Sequence, residues 1–191
     1  MKKRLCCFIL AFILIAICQA GCGKKDNGMK KVVLNEVAHS IFYAPQYVAI
    51  EMGYFKDAGI DLVLETGFGA DKTMTALISG NADIGFMGSE STIYAYAEGS
   101  KDYAFNFAGL TQRAGNFLVA REKIDNFSWD MVKGKNVLGG RKGGMPQMVL
   151  EYILKANNID PASDLSIDQS VDFGLTAGAF SGNTEYDFTV E

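Results

Sequence analysis

Apolar and polar positions alternate between two periods along this chain. The stretch "VVLNEV" at residues 32–37 is a short apolar run of strand length. A loop follows, and Pro45 stands where a helix accepts proline, in its first turn. That helix is expected to turn Val48, Ala49 and Met52 inward and to end near Gly53. Residues 60–65 predict the next strand. Beyond the glycine loop 67–70, Asp71 is a plausible helix cap. Met74, Leu77 and Ile78 share one helical face by their spacing. Gly80 stops that helix, and 83–87 predict a short strand. A helix is expected from 88–91 to about 98, and strands at 104–110, 117–121 and 136–138. Pro146 opens another helix, with Met148, Val149, Tyr152 and Ile153 as its apolar face. A strand at 165–168, a helix at 173–180 and a strand at 184–190 complete the series. Strands alternating with helices predict parallel α/β layers.

One motif recurs within that series. "ALISGNADIGF" begins at Ala76 and "AFSGNTEYDF" at Ala179. Ser79, Gly80 and Asn81 each stand 102 positions before Ser181, Gly182 and Asn183, and Phe86 and Phe188 keep the same offset. Each copy ends a helix at glycine and feeds a strand. Two such copies predict two α/β lobes of similar construction.

The N-terminus departs from this pattern. Lys2, Lys3 and Arg4 precede an unbroken apolar run from Leu5 to Cys18, and Gln19-Ala20-Gly21-Cys22 follows. Basic, then apolar, then small is the order of a secretory signal. A spanning helix needs about 20 apolar residues, and this run is shorter. Ala20-Gly21-Cys22 resembles the end of a bacterial lipobox, in which the Cys becomes the lipidated first residue. Gln19 departs from that pattern, which places an aliphatic residue three positions before the Cys. Residues 23–28 are small and polar, as in a flexible tether.

All four cysteines lie at or before position 22. A chain beginning at Cys22 therefore has no disulfide framework, CxxC pair or Cys-based zinc site. Removing the three basic residues of the signal shifts the net charge from −4 to −7. A net-acidic domain is a poor partner for nucleic acid. His39 is the single histidine, which argues against a His-based metal cluster and a Ser-His-Asp triad. No cofactor is implied. "GGRKGG" lacks the GxGxxG spacing. Gly139 and Gly144 have the P-loop separation, but Met145-Pro146 stands where that motif needs Lys-Ser/Thr.

"HSIFYAPQYVAIEMGYFKDAGIDLVL", "TALISGNADIGFMGSE" and "GKNVLGGRKGGMPQMVLEYILKANNID" together carry a specific resemblance. From about residue 32 onward the chain resembles the solute-binding proteins of bacterial ABC importers, in the nitrate/sulfonate/taurine and thiamine-precursor-like superfamily. The resemblance implies a two-lobe periplasmic-binding-protein type II fold with a ligand cleft between the lobes. It also implies permease and ATPase partners outside which a lipid-anchored or periplasmic protein captures its solute. In that family the chain returns to finish the first lobe. A single crossing is visible here, so the sequence is expected to be truncated at its C-terminus. The implied organisation is a signal peptide at 1–21, lipid anchor and tether at 22–31, first lobe at 32–110, crossover at 111–121 and incomplete second lobe at 122–191.

Ligands of open α/β sheets lie beyond the carboxyl ends of strands. Four stretches qualify: Ser40, Phe42 and Tyr43 with Gln46; residues 67–71; Gly88, Ser89 and Glu90; and residues 140–145, with Arg141, Lys142, Gly143, Gly144 and Met145. Each precedes a helix whose free N–H groups favour an anion. Phe42 and Tyr43 fit an apolar wall of the cleft or packing between strand and helix. Gln46 fits a ligand contact or a solvated first turn, and Arg141 and Lys142 fit ligand charge or solvated loop charge. Ser89 fits a cap or a contact. Glu90 would repel an anion if it faced the cleft, and could instead orient Ser89 or bind an amine, as in an amino-sulfonate. The solute expected is small and anionic: a sulfonate, taurine, nitrate or a pyrimidine precursor. Two rivals stand beside solute uptake. One is a pyrimidine-precursor synthase-like enzyme, against which the signal and the missing cysteine-rich segment count. The other is a ligand-binding sensor.

Overall fold

The computed structural model describes residues 28–113, 115–172 and 174–191, so the readings on the signal and on Cys22 lie outside the described residues. Two sheets follow one another along the chain. The first contains β1 (Lys30–Glu36), β2 (Ile60–Thr66) and β3 (Ile84–Phe86), in the order β2-β1-β3 with every pairing parallel. Leu34 lies opposite Leu64 on one side and Ile84 on the other. The second contains β4 (Leu118–Ala120), β5 (Asn136–Leu138), β6 (Ser166–Asp168) and β7 (Phe188–Val190), in the order β4-β7-β5-β6. Here β5 runs parallel to β6 and β7, and β4 antiparallel to β7. A central strand flanked by later strands needs crossovers, and the helices supply them.

In the first lobe these helices are α1 (Ala44–Glu51), α2 (Tyr54–Asp57), α3 (Ala70–Ile78) and α4 (Glu90–Ala97). In the second they are α5 (Met145–Ala156) and α6 (Thr176–Gly182). The second lobe closes on a continuous core of Val132, Val137, Leu150, Leu154, Ile159, Leu165, Phe188 and Val190. The first lobe buries Leu34, Ala38, Ala70, Met74 and Ala82.

The repeated motif occupies equivalent places in the two lobes, but with a shifted register. Asp83 receives the backbone N–H of Val33 on its carboxylate at 2.8 Å, and Asp187 receives that of Asn136 at 2.9 Å. The N–H groups of the same two aspartates bond back to the carbonyls of Val33 and Asn136. Each aspartate thus clamps the strand that follows it onto the central strand of its sheet. Ile84 therefore corresponds to Phe188, and Phe86 to Val190. The second copy has two extra residues between Asn183 and its strand. The Gly termini differ too: Gly80 turns the chain at φ +75°, whereas Gly182 ends α6 as a helical residue.

Several sequence expectations shift. Residues 104–110 form no strand, and β4 is confined to three residues that pair inside the second sheet. Strand β7 is also shorter than expected, because Arg121 ties the carbonyls of Phe180, Asn183 and Tyr186 into a turn before it. In α1, Val48 and Met52 point outward at 54% and 61% exposure, while Gln46 is buried. In α5 the buried pair is Leu150 and Leu154, one face away from the predicted one, and Tyr152 is exposed. Outside the two cores several large apolar side chains remain in contact with solvent, among them Ile93, Tyr96, Phe105, Phe107 and Phe117.

These faces separate in a stability measurement. Leu154→Ala should lower unfolding free energy by about 2–5 kcal/mol in urea titration, through lost burial and a residual cavity. Val48→Ala should change it by less than about 0.5 kcal/mol, because that side chain already faces water. Equal costs would contradict the orientation of α1.

Candidate functional site

The carboxyl end of β1 carries a buried charge. Glu36 is fully buried and its two carboxylate oxygens each have two partners. Oε2 accepts from the Gln46 amide at 3.1 Å and the Tyr47 hydroxyl at 2.8 Å. Oε1 accepts from the Thr66 hydroxyl at 3.3 Å and lies 3.0 Å from His39 Nδ1. Four partners match the acceptor capacity of a carboxylate. The His39 ring stacks on Tyr47 at 4.3 Å between centroids. Tyr47 in turn accepts the Ser40 N–H at 3.0 Å. Its hydroxyl pKa is pushed up to about 12, mainly by burial, with the Ser40 N–H opposing and Glu36 adding to the rise. The neighbouring Asn35 is buried and accepts from Thr73 at 2.8 Å, which ties α3 to the same strand end. Gly67 is needed beside it, since a Cβ there would overlap Asn35 and Thr73.

This network decides where the predicted site residues stand. Gln46 spends its amide nitrogen on Glu36, so it supports the loop from beneath. The Ser40 hydroxyl accepts a long bond from the Phe42 N–H as the cap of a short 3-10 turn, Ile41–Tyr43. Phe42 is 56% exposed, and its ring lies over Gly115, where a Cβ would overlap it. Tyr43 packs its ring on Phe86 at 4.4 Å, and burial, then Glu36 and Glu90, raise its pKa. Ser89 occupies the N-cap of α4 but makes no side-chain cap bond. Lys142 is exposed and forms no ion pair among the described residues.

Arg141 does not stand free. Its Nε and Nη2 donate to the two oxygens of Asp71 at 3.2 and 2.9 Å, and its Nη1 contacts Asp172. Lys72 reaches Asp172 at 3.6 Å. Asp71 and Lys72 belong to the first lobe, Arg141 and Asp172 to the second. The Arg141 guanidinium holds the Asp71 carboxyl below its usual range, first by hydrogen bonding and then by charge. Gly69 permits this approach, because a Cβ there would press on Asp71 and Arg141. The expected cap at Asp71 is instead at Gly69, and the Asp71 side chain serves the junction.

Glu90 opens α4 at the carboxyl end of β3. It is 3% exposed, and its Oε2 has no hydrogen-bond partner. Burial is the main cause of its raised pKa, with the N–H groups of Glu90 itself and of Met145 opposing. Met145 is the first residue of α5, so a first-lobe carboxyl group faces the helix start of the second lobe. The carboxylate folds over Gly88, where a Cβ would overlap it. Two N–H groups just before that helix are engaged: Gly143 donates to the Gln147 side chain at 2.9 Å and Gly144 to the Arg141 carbonyl at 3.1 Å. Two hollows elsewhere, lined by Glu151 to Gln169 and by Leu77 to Phe107, include none of the predicted site residues. Among the described residues, no group of His, Cys, Asp and Glu could hold a metal ion, and no helix is long and apolar enough to cross a membrane.

Two α/β lobes whose strand-end loops meet across one junction define the type II periplasmic-binding-protein fold. Residues 41–179 match the NMT1/THI5-like family, and the chain belongs to that family. It is 52% identical over 176 residues to the "Putative binding protein YtlA" of Bacillus subtilis (strain 168), covering 92% of this chain and 52% of that protein. Among solved structures, a protein from Bordetella bronchiseptica RB50 superposes with a TM-score of 0.64 at 23% identity, over 85% of this chain and 51% of its own. The periplasmic aliphatic sulphonate binding protein SsuA of Escherichia coli gives 0.52 at 16% identity, over 84% and 53%. The alkanesulfonate-binding SsuA of Xanthomonas axonopodis pv. citri, bound to MOPS, gives 0.55 at 14%, over 85% and 53%. The chain thus spans about half the length of the relatives it matches.

Glu36 and Tyr47 were not predicted as site residues, and Asp71 and Arg141, both within predicted stretches, were not predicted to pair with each other. Glu36 had a signal, since Asn35-Glu36 is a polar pair inside an apolar strand. The Asp71–Arg141 pair had none, because its partners are 70 positions apart.

Two measurements test this arrangement in the full-length protein. Glu36→Ala should cost at least about 1–3 kcal/mol, because the buried Gln46 amide loses its acceptor. Glu90 titrates the other way from a stabilising carboxylate. Its folded pKa lies above its unfolded value, so its contribution is present below about pH 4.3 and is lost as pH rises through the folded pKa. Glu90→Gln should therefore raise the melting midpoint at pH 7 more than at pH 4. An equal shift at both pH values would contradict a carboxyl group whose pKa is raised by burial.

Proposed function

We propose that this chain is the solute-capturing part of an extracytoplasmic ABC-importer binding protein, non-catalytic, which closes two lobes on a small solute and delivers it to a permease. The observation that carries the reading is the junction itself. Loops from the ends of β2 and β3 meet those after β5 and β6, and the Asp71–Arg141–Asp172–Lys72 chain of charges spans the two lobes. A solute touching both lobes would favour the closed arrangement, since only that state makes both sets of contacts. Sulfonates, taurine, nitrate and pyrimidine precursors are the candidate solutes. The sequence order ending in Ala20-Gly21-Cys22 supports anchoring by lipid at Cys22, outside the cytoplasmic membrane.

The reading is tested by screening such solutes against the full-length protein by thermal shift. A true solute at 100 times its Kd should stabilise the fold by about 2.7 kcal/mol, and no shift with any of them would refute solute capture for this panel. Anchoring is tested separately: labelled palmitate should enter the wild type in cells and not Cys22→Ser. Equal labelling of the two would remove the lipid from the proposal.

A further inference from the structure

We infer that Glu90 selects the solute, and that the solute presents a nitrogen donor to it, as an ammonium or an amino-substituted ring, in place of a bare anion. The inference rests on the solute-capture reading above. Its first support is the unpartnered Oε2 of a carboxylate that is only 3% exposed. Buried polar atoms without a partner are rare, because losing water without replacement costs free energy. The adjacent Ser91 is also buried with an unpartnered hydroxyl. Two orphaned groups thus lie next to each other in the chain, at the carboxyl end of a parallel strand where ligands of such sheets gather.

The second support is that no cation of the junction pairs with Glu90 among the described residues: the exposed Lys142 forms no ion pair, and the others are engaged elsewhere. Arg141 is held between Asp71 and Asp172, Lys72 reaches Asp172, and His39 lies against Glu36. The third is the state of the α5 helix start, where an anion would have been expected. Gly143 and Gly144 have given their N–H groups to Gln147 and Arg141, and the Met145 N–H faces Glu90. An incoming anion would meet a carboxylate where it needs donors, whereas a donor nitrogen would meet an open acceptor. Tyr43, whose own ionisation Glu90 opposes, lies near that acceptor with its ring packed on Phe86.

Matched pairs isolate the nitrogen. Taurine and isethionate differ by an ammonium in place of a hydroxyl, and 4-amino-2-methylpyrimidine and 2-methylpyrimidine differ by the amino group. Calorimetry on the full-length protein should find the nitrogen-bearing member of at least one pair bound about 10- to 100-fold more tightly than its partner, the range of one hydrogen bond to a charged group. Glu90→Gln should remove that discrimination while its melting midpoint at pH 7 stays at or above that of the wild type. Gly88→Ala, which displaces the carboxylate without removing its charge, should weaken the same ligand. Tighter binding of isethionate or nitrate by Glu90→Gln would show that Glu90 repels an anion, and would overturn the inference. Unchanged discrimination in Glu90→Gln would overturn it as well. Binding of none of these compounds, nitrate included, would remove the solute-capture reading itself, and the inference with it.

Discussion

Glu36 organises the first lobe. A carboxylate taken wholly out of water is tolerated only when its lone pairs are filled, and here four side chains fill them. Those side chains come from the loop after β1, from the first turn of α1 and from the end of β2. One charge therefore sets the path of residues 37–47 and fixes the strand end against its neighbour. It also explains why α1 buries a glutamine and exposes Val48 and Met52. The helix is oriented by a polar anchor, and its apolar residues take the positions that remain.

From that anchor the loop geometry propagates to the junction. Tyr43 is placed on Phe86, at the end of β3, where the chain turns into Gly88 and Glu90. On the other side of the sheet Asn35 holds Thr73, and α3 begins with Asp71 aimed at Arg141. The Arg141 pairs are partly solvent-exposed and contribute little stability by themselves. Their importance is positional, since they consume the charge that an unpaired arginine would have offered a solute. Beside them stands Glu90, whose Oε2 is buried without a hydrogen-bond partner.

The chain's local patterns determined a good deal. Alternating apolar runs and helical faces marked the parallel α/β class, and all four predicted loops do lie at the carboxyl ends of strands. The reason is local: strand length, glycine turns and Pro in the first helical turn are properties of a few neighbouring residues. The duplicated Ser-Gly-Asn marked equivalent helix ends, but its constant offset gave the wrong register. The clamp made by Asp83 and Asp187 on the central strands set the true one, and the extra residues of the second copy were absorbed in its turn.

The roles of individual polar side chains lay beyond the sequence. Arg141, Gln46 and the N–H groups of residues 143–144 each looked available for a ligand, and each is taken by a partner inside the chain. Whether a charge is free depends on what stands within about 4 Å of it, and those neighbours come from distant parts of the chain. The sequence by itself determined the layers, the strand ends and the kinds of residue placed there. Only the tertiary structure decided that both Glu36 oxygens have partners and that Glu90 Oε2 has none, because hydrogen-bond satisfaction is a property of contacts in space and leaves no trace in residue order.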